Sequence, residues 1–424
     1  MEYLGNSKLS NIRLHLFSLY CIICFHFTEV KFYDIKLNEL VSLLAVPFIL
    51  ISVRKINKYL LYFLVFFFTI LVVTFLNNLT HTFYLNIDEL SVLKRPYLIS
   101  IARFIEYIAC LSFAIIVYKT FTYYQDKGKP ASFVLDNVLK FNAILSFLFI
   151  GAYFITYFDI ERLNTSSLLY NASPYSAPTI RLRGFYVEGG PLGLLYSFLF
   201  ILTFFIPGKK WFYQVVFITI ILMAKSKAGL VGVIAWLSFK VYQKFKHTVW
   251  LKPIIVLLLV PIFLVAFSKI ANEYIYLLSN VDKILPNRLT DTNFVMGRIA
   301  AVFIAPNMFL DNPWLGIGIG NYAILRNNPE YLGNWPAVEL WDAPGLGVFI
   351  SLIIDNGILG FMLFSLLLYR IYNKYSTASK QLIILFVLIG MLGVQLHFLY
   401  IWFLIGLALA LPPLKSEPTH ELYV

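Results

Sequence analysis

The chain is divided into apolar runs of close to bilayer-spanning length, almost free of charge, and few folds accommodate that pattern. A helix rises 1.5 Å per residue, so about 20 apolar residues cross the hydrocarbon core of a membrane. Runs of this kind lie at 12–30, 37–53, 59–77, 97–118, 133–158, 188–206, 211–224, 228–243, 253–268, 346–369, 380–395 and 397–413. In lipid the backbone must satisfy its own hydrogen bonds, which such runs do as helices. Only 13% of residues are charged, against roughly 25% in soluble domains, and the mean hydropathy is +0.77. The expectation is an all-α, polytopic integral membrane protein with about twelve transmembrane helices, forming a single transmembrane domain over 1–424. The run at 12–30 has no small-residue cleavage site and reads as a retained helix.

Loop charge gives the orientation. Arg54, Lys55 and Lys58, then Lys119, Lys127 and Lys129, then Lys209 and Lys210, then Lys240, Lys244, Lys246 and Lys252, then Arg370, Lys374 and Lys380 follow every second run. By the positive-inside rule these exits are cytoplasmic, and so are both termini. Two long connections, 159–187 and 269–345, then face outward, the second large and partly helical. The net charge of +12 is absorbed by the cytoplasmic loops and a lipid surface, which excludes nucleic acid as the expected partner. Cys21, Cys24 and Cys110 cannot build a disulfide framework. Cys21 and Cys24 read as small hydrophobes inside an apolar helix.

Against this topology, five basic residues lie on the wrong side. Arg181, Arg183, Lys225, Lys227 and Arg298 map to outward connections. Arg181 and Arg183 precede Glu188-Gly189-Gly190-Pro191, a turn into a helix start, and a helix N-terminus with adjacent arginines is an anion site. Snorkelling arginines at the interface are the alternative. Lys225 and Lys227 sit in a connection too short to leave the interface, and a charge forced deeper costs ~2.5–3.5 kcal/mol. A run at 211–224 that does not span is the alternative there. Gly316-Ile317-Gly318-Ile319-Gly320 lacks the strand before it and the Gly-Lys-Ser/Thr ending of a nucleotide loop, and reads as a flexible, close-packed loop. Trp314, Tyr322, Tyr331, Trp335 and Trp341 make that connection aromatic, as an interfacial belt or as surfaces on which sugar rings stack. Glu188, Asp291, Glu339, Asp342 and Asp355 are the acids near this face, and no spacing singles one out as a general base. His81 and His397 read as structural. Arg103/Glu106 and Asp136/Lys140, at i,i+3 and i,i+4, read as neutralising pairs within helices, with Arg103 able to face a cavity.

Three stretches resemble the O-antigen polymerase and O-antigen ligase superfamily of bacterial envelope enzymes. They are Arg181–Gly193, similar to the family's R-x-x-G-x-x-x-E turn; Lys225-Ser226-Lys227; and Gly297-Arg298 with Asn312-Pro313-Trp314-Leu315-Gly316-Ile317-Gly318 and Asp355-Asn356-Gly357-Ile358-Leu359-Gly360. The resemblance implies a membrane glycosyltransferase with a GT-C-like fold, acting without nucleotide sugar, metal or other cofactor. Its substrates would be undecaprenyl-pyrophosphate-linked oligosaccharide repeat units, its site periplasmic, its location the bacterial inner membrane. By the same resemblance Arg298, Arg181, Glu188 and Asp342 are the expected catalytic residues, with Asp342 the candidate base. Arg183, Lys225, Lys227, Trp314, Tyr322 and Trp341 are expected to bind pyrophosphate and sugar, and a chain-length-regulating co-polymerase is the expected protein partner. Ligases of the family carry a His-Asn about eleven residues before the glycine matching Gly357. Here Leu346-Gly347 stands at that place, which favours the polymerase branch. A ligase and a lipid-linked oligosaccharide flippase are the competing expectations; long outer loops speak against the flippase.

Overall fold

A computed structural model describes residues 2–32, 35–51, 56–81, 83, 95–157, 170–171, 181–186, 188–208, 210–245, 272, 275–276, 279–289, 292–338 and 344–412. Helices dominate: α1 (Glu2–His26), α2 (Leu37–Leu44), α3 (Val46–Ile51), α4 (Lys58–Asn78), α5 (Leu98–Asp126), α6 (Ala131–Tyr157), α7 (Gly189–Leu202), α8 (Trp211–Met223), α9 (Lys227–Phe245), α10 (Gly297–Asp311), α11 (Val348–Lys374), α12 (Thr377–Met391) and α13 (Leu399–Ala410). Two antiparallel pairs of two-residue strands, Lys31–Phe32 with Ile35–Lys36 and Tyr170–Asn171 with Arg181–Leu182, complete the described regular structure apart from single helical turns.

Among the described residues four helices are long and apolar enough to cross a membrane: α4, α5, α6 (over Ala131–Phe154) and α11. Gly189–Phe205, α8, α12 and α13 are apolar but shorter. The sequence at 37–53 does not make one helix. Pro47 has no N–H to continue the ladder of α2, so the run splits into α2 and α3 around Ala45. The expected run at 253–268 lies outside the described residues.

Helix α13 is the axis around which the others pack. It is apolar on all sides and every residue from Leu399 to Ala410 is buried, as a helix without a polar face requires. Gly406 lets it approach α5, where a Cβ would lie 2.5 Å from the Ala114 carbonyl oxygen. Phe403 meets Phe25, Phe113, Phe121 and Phe198, while Trp402 meets Phe63, Phe67 and Phe386 and donates its indole N–H to the Leu396 carbonyl at 2.7 Å. The outer helices expose apolar side chains instead, such as Leu61, Val65, Phe68 and Leu76 on α4 and Met362, Leu363 and Leu366 on α11. Such stripes need an apolar surrounding. Cys21, Cys24 and Cys110 are free and buried.

The described part of 269–345 has its own small core. Ala300, Ile304 and Met308 of α10 pack with Ile317, Tyr322, Leu325, Tyr331, Trp335 and Ile354. Trp335 lies 5.8 Å from the Phe294 ring and 5.2 Å from Phe303. Trp335 and Tyr331 therefore hold this segment together from inside, and the expectation of an interfacial belt fails for these two rings.

Candidate functional site

The two glycine motifs turn out to be halves of one joint. Helix α11 breaks at Gly357, whose φ of 64° and ψ of −171° are outside helical geometry. A broken helix frees backbone groups that must find other partners. Here the Ile354 and Asp355 carbonyls accept from the amides of Ile317 (3.0 Å) and Gly318 (2.8 Å), and the amides of Ile358 and Leu359 donate to the carbonyls of Pro313 (2.9 Å) and Trp314 (3.2 Å). Contact this close excludes side chains: a Cβ on Gly357 would lie 2.3 Å from the Trp314 carbonyl, and one on Gly316 would lie 2.4 Å from the Asn356 nitrogen. The loop is also tied to α4 and α5, by Ile319 N–H to Thr74 Oγ1 (3.0 Å), Asn77 Nδ2 to the Gly316 carbonyl (2.8 Å) and Ser100 Oγ to the Ile319 carbonyl (3.2 Å). The loop is close-packed as expected, but its hydrogen bonds pin it, contrary to the expected flexibility.

A second set of glycines joins the two cationic turns. A Cβ on Gly189 would lie 2.6 Å from the Ala224 carbonyl oxygen, and one on Gly193 would lie 2.0 Å from the Ser226 Cβ. Ser226 caps α9, accepting from the Gly229 amide at 3.1 Å, and donates to the Gly190 carbonyl at 3.1 Å. The turn carrying Arg181 and Arg183 thus lies against the turn carrying Lys225 and Lys227. Arg181, Lys225 and Lys227 are exposed and Arg183 is half-buried; burial, partly offset by Glu29, lowers the Arg183 pKa. Glu188 is exposed at the N-cap of α7 and makes no side-chain cap bond. Lys227 opens α9 and Arg298 is the second residue of α10. A helix N-terminus is electropositive and favours anions, so a cation in the first turn works against the dipole by about 0.3–1 kcal/mol.

Arg298 is exposed and lies across two glycines: a Cβ on Gly345 would sit 3.2 Å from its Cγ, and one on Gly393 would sit 3.1 Å from its guanidinium. Leu392, next to Gly393, packs against Gly232 of α9, which is five residues from Lys227, or about 7.5 Å along the helix. The order of contacts thus runs from the paired turns, down α9, to Arg298.

A cavity of about 60 Å³ is lined by Arg103, Tyr107, Tyr322, Pro344, Asp355 and His397 among others, and Pro344 adjoins Gly345, which Arg298 crosses. Beside it lies a buried ionic cluster. Lys36 Nζ is 2.8 Å from both Glu39 and Glu106, and Arg103 pairs with Glu106 and contacts His397 Nδ1 at 3.3 Å. Burial, then the Lys36 charge, pushes His397 well below its ordinary pKa. A neutral imidazole can accept from the Arg103 guanidinium. On the lipid side, an apolar groove between α11 and α12 runs from Phe349 and Met391 to Tyr372 and has Ser365 as its only non-aromatic polar lining residue among the described ones.

The sequence expectations divide accordingly. Arg181, Arg183, Glu188, Lys225 and Lys227 are gathered around one pair of turns, and Arg298 lies apart from them against Gly345 and Gly393. Trp314 is 62% exposed, as a stacking surface requires, whereas Tyr322 is buried in a helical turn, packed in the small core and lining the cavity. Tyr322 as an open stacking surface is therefore corrected. Trp341 and Asp342 lie outside the described residues. Asp136 does not pair with Lys140: its carboxylate accepts from the Tyr213 hydroxyl at 3.1 Å. The Arg103/Glu106 pair forms, but as part of a larger cluster. Lys36 was missed, and His397 was read as structural without its link to Arg103, because the three come from distant segments; the available signal was that ionisable residues among membrane helices are rarely idle.

Residues 212–365 match the family model described as O-antigen ligase, roughly a third of the chain. The match takes in Lys225, Lys227, Arg298, both halves of the glycine joint and Asp355, and it stops short of Arg181 and His397. It supports the O-antigen polymerase and ligase superfamily, and with the apolar helices a membrane enzyme of surface polysaccharide assembly, without separating the two branches. No curated protein and no solved structure matches the chain.

Proposed function

We propose that this protein is a surface polysaccharide polymerase of the bacterial inner membrane. It transfers the growing glycan from one undecaprenyl pyrophosphate to the non-reducing-end hydroxyl of a new lipid-linked repeat unit on the periplasmic face. The observation that carries this reading is the placement of Lys227 and Arg298 in the first turns of α9 and α10, with Arg181, Arg183 and Lys225 packed beside the former. Cations added to an already positive helix end oppose the dipole, and an anionic ligand removes the conflict. A diphosphate leaving group gathers negative charge as its bond to the sugar breaks, and fixed cations stabilise it there.

In this reading the Arg298 and Arg181 guanidinium groups hold the departing pyrophosphate, and Arg183, Lys225 and Lys227 hold the pyrophosphate of the acceptor. Glu188 orients an arginine or the acceptor sugar, and Trp314 offers a ring face to a sugar; Tyr322 is kept only as a wall of the cavity, and Trp341 and Asp342, outside the described residues, stay as a substrate contact and a base candidate. The apolar groove between α11 and α12 begins at Phe349, against Gly390, three residues from the Gly393 that supports Arg298. This suits a polyprenyl tail whose head lies at Arg298. The full topology, with about twelve crossings and both termini cytoplasmic, and a co-polymerase partner belong to the same proposal.

The ligase is the second reading, since the matching family model carries that description. Leu346-Gly347 in place of the His-Asn pair weighs against it. Deleting the gene and resolving surface glycan on a gel separates the two. Loss of a polymerase leaves core bearing one repeat; loss of a ligase leaves bare core with polymer on the lipid carrier. Undisturbed ladders would refute both.

A further inference from the structure

We infer that Asp355 is the general base that accepts the proton of the acceptor hydroxyl. The inference rests on the transferase reading above. Asp355 sits two residues before the Gly357 break and lines the cavity whose wall at Pro344 adjoins Gly345, beside Arg298. Gly320 lines the same cavity beside it. It makes no ion pair among the described residues: the neighbouring Arg103 is committed to Glu106 and His397. Glu39 and Glu106 are held by Lys36 and Arg103, so neither is available to a substrate. Glu188 is exposed at a helix N-terminus, where water competes for it. Asp355 is therefore the described carboxylate that lines a cavity and is in no ion pair within salt-bridge distance.

The cavity, about 60 Å³, has room for an entering hydroxyl. The step balances as follows. The acceptor O–H proton passes to the Asp355 carboxylate. The acceptor oxygen forms the bond to the anomeric carbon of the donor glycan. The bond from that carbon to the pyrophosphate oxygen breaks, and its electron pair leaves on the pyrophosphate held by Arg298. Tyr107 and Ser351 line the same cavity and face the incoming hydroxyl.

The test uses the full protein in liposomes with a polyprenyl-pyrophosphate-linked oligosaccharide, reading chain growth, kcat and KM. Asp355→Asn keeps the size of the side chain and an acceptor oxygen and cannot take a proton. It is expected to lower kcat by about 10²–10⁴-fold with KM changed less than about threefold, while Asp355→Glu retains measurable growth. Turnover of Asp355→Asn within about tenfold of the unchanged protein overturns the assignment. Should Asp355→Asn fail to fold, the Glu and Gln variants decide, since they match in size and differ in proton acceptance. A folded, inactive Gln variant beside an active Glu variant supports the base. Equal activity in the two, or loss of folding in Asn and Gln alone, makes Asp355 a scaffold residue and overturns it. If the unchanged protein makes no polymer from this substrate, the polymerase reading fails and Asp355 is not the cause.

Discussion

The molecule handles charge in two opposite ways. Around Lys36, Arg103 and Glu106 the charges are buried and hold each other in place, with N–O distances of 2.8 Å at Lys36. Around Arg181, Lys225 and Arg298 the charges are exposed, and their backbones are placed by glycine contacts and a serine cap that involve no charge. In the first region a charge is part of the scaffold. In the second, the scaffold would stand without the charge. That separation is what a site for an anionic ligand needs, because the cations keep their electrostatic interaction for the ligand.

The contrast is sharpest under mutation. Glu106→Gln leaves Arg103 buried with a neutral partner and Lys36 with Glu39 alone. Breaking a buried pair costs about 3–5 kcal/mol, and the expected result is a large drop in thermal stability in detergent, with activity falling in step. A variant that melts normally would show that the cluster is wet and dispensable. Arg298→Ala should do the reverse: unchanged melting, with chain growth reduced at least tenfold, since a charge-assisted hydrogen bond is worth about 1.5–3 kcal/mol. Normal glycan ladders in that variant would break the comparison at its functional end.

Gly357→Ala tests the joint rather than either charge. It forces a Cβ into the Trp314 carbonyl at φ +64°, and strain with overpacking costs about 2–5 kcal/mol. Stability measured by unfolding in detergent should fall, and chain growth with it. Lys225→Ala is the milder probe of the exposed set: melting should not move, and the effect on chain growth should be smaller than at Arg298 because the diphosphate keeps its other cations. The smallest effect is expected at Cys21→Ala, which removes a buried sulfur for about 1 kcal/mol and leaves activity independent of oxidant. Oxidant-sensitive activity in the unchanged protein would assign the cysteine pair a role outside both regions.

How much of this was legible in the sequence follows the same division. Helices α4, α5, α6 and α11 announce themselves because each carries enough consecutive apolar residues to span a bilayer. The split of α2 from α3 was also present, in Pro47, and was overridden by hydropathy. The exposed cations were visible as exceptions to the positive-inside rule. The joint was half legible: both glycine stretches stood out, but no local pattern says that 313–318 pairs with 354–359. The ionic cluster was less so, since Lys36, Arg103 and His397 meet only through the packing of α5 and α13. Asp355 was one acid among several until the fold placed it on a cavity wall; Asp291, Glu339 and Asp342 lie outside the described residues.

The break at Gly357 has a consequence for how the chain can vary. Helix α11 is continued across its gap by Pro313, Trp314, Ile317 and Gly318, so a stretch of extramembrane loop acts as a missing rung of a membrane helix. One residue inserted between Trp314 and Ile317 would throw two of the four backbone bonds out of register. Insertions elsewhere in the long connection, between Gly333 and Pro344 for instance, leave all four intact. Length drift in related chains should therefore collect on one side of this loop and be absent from the other.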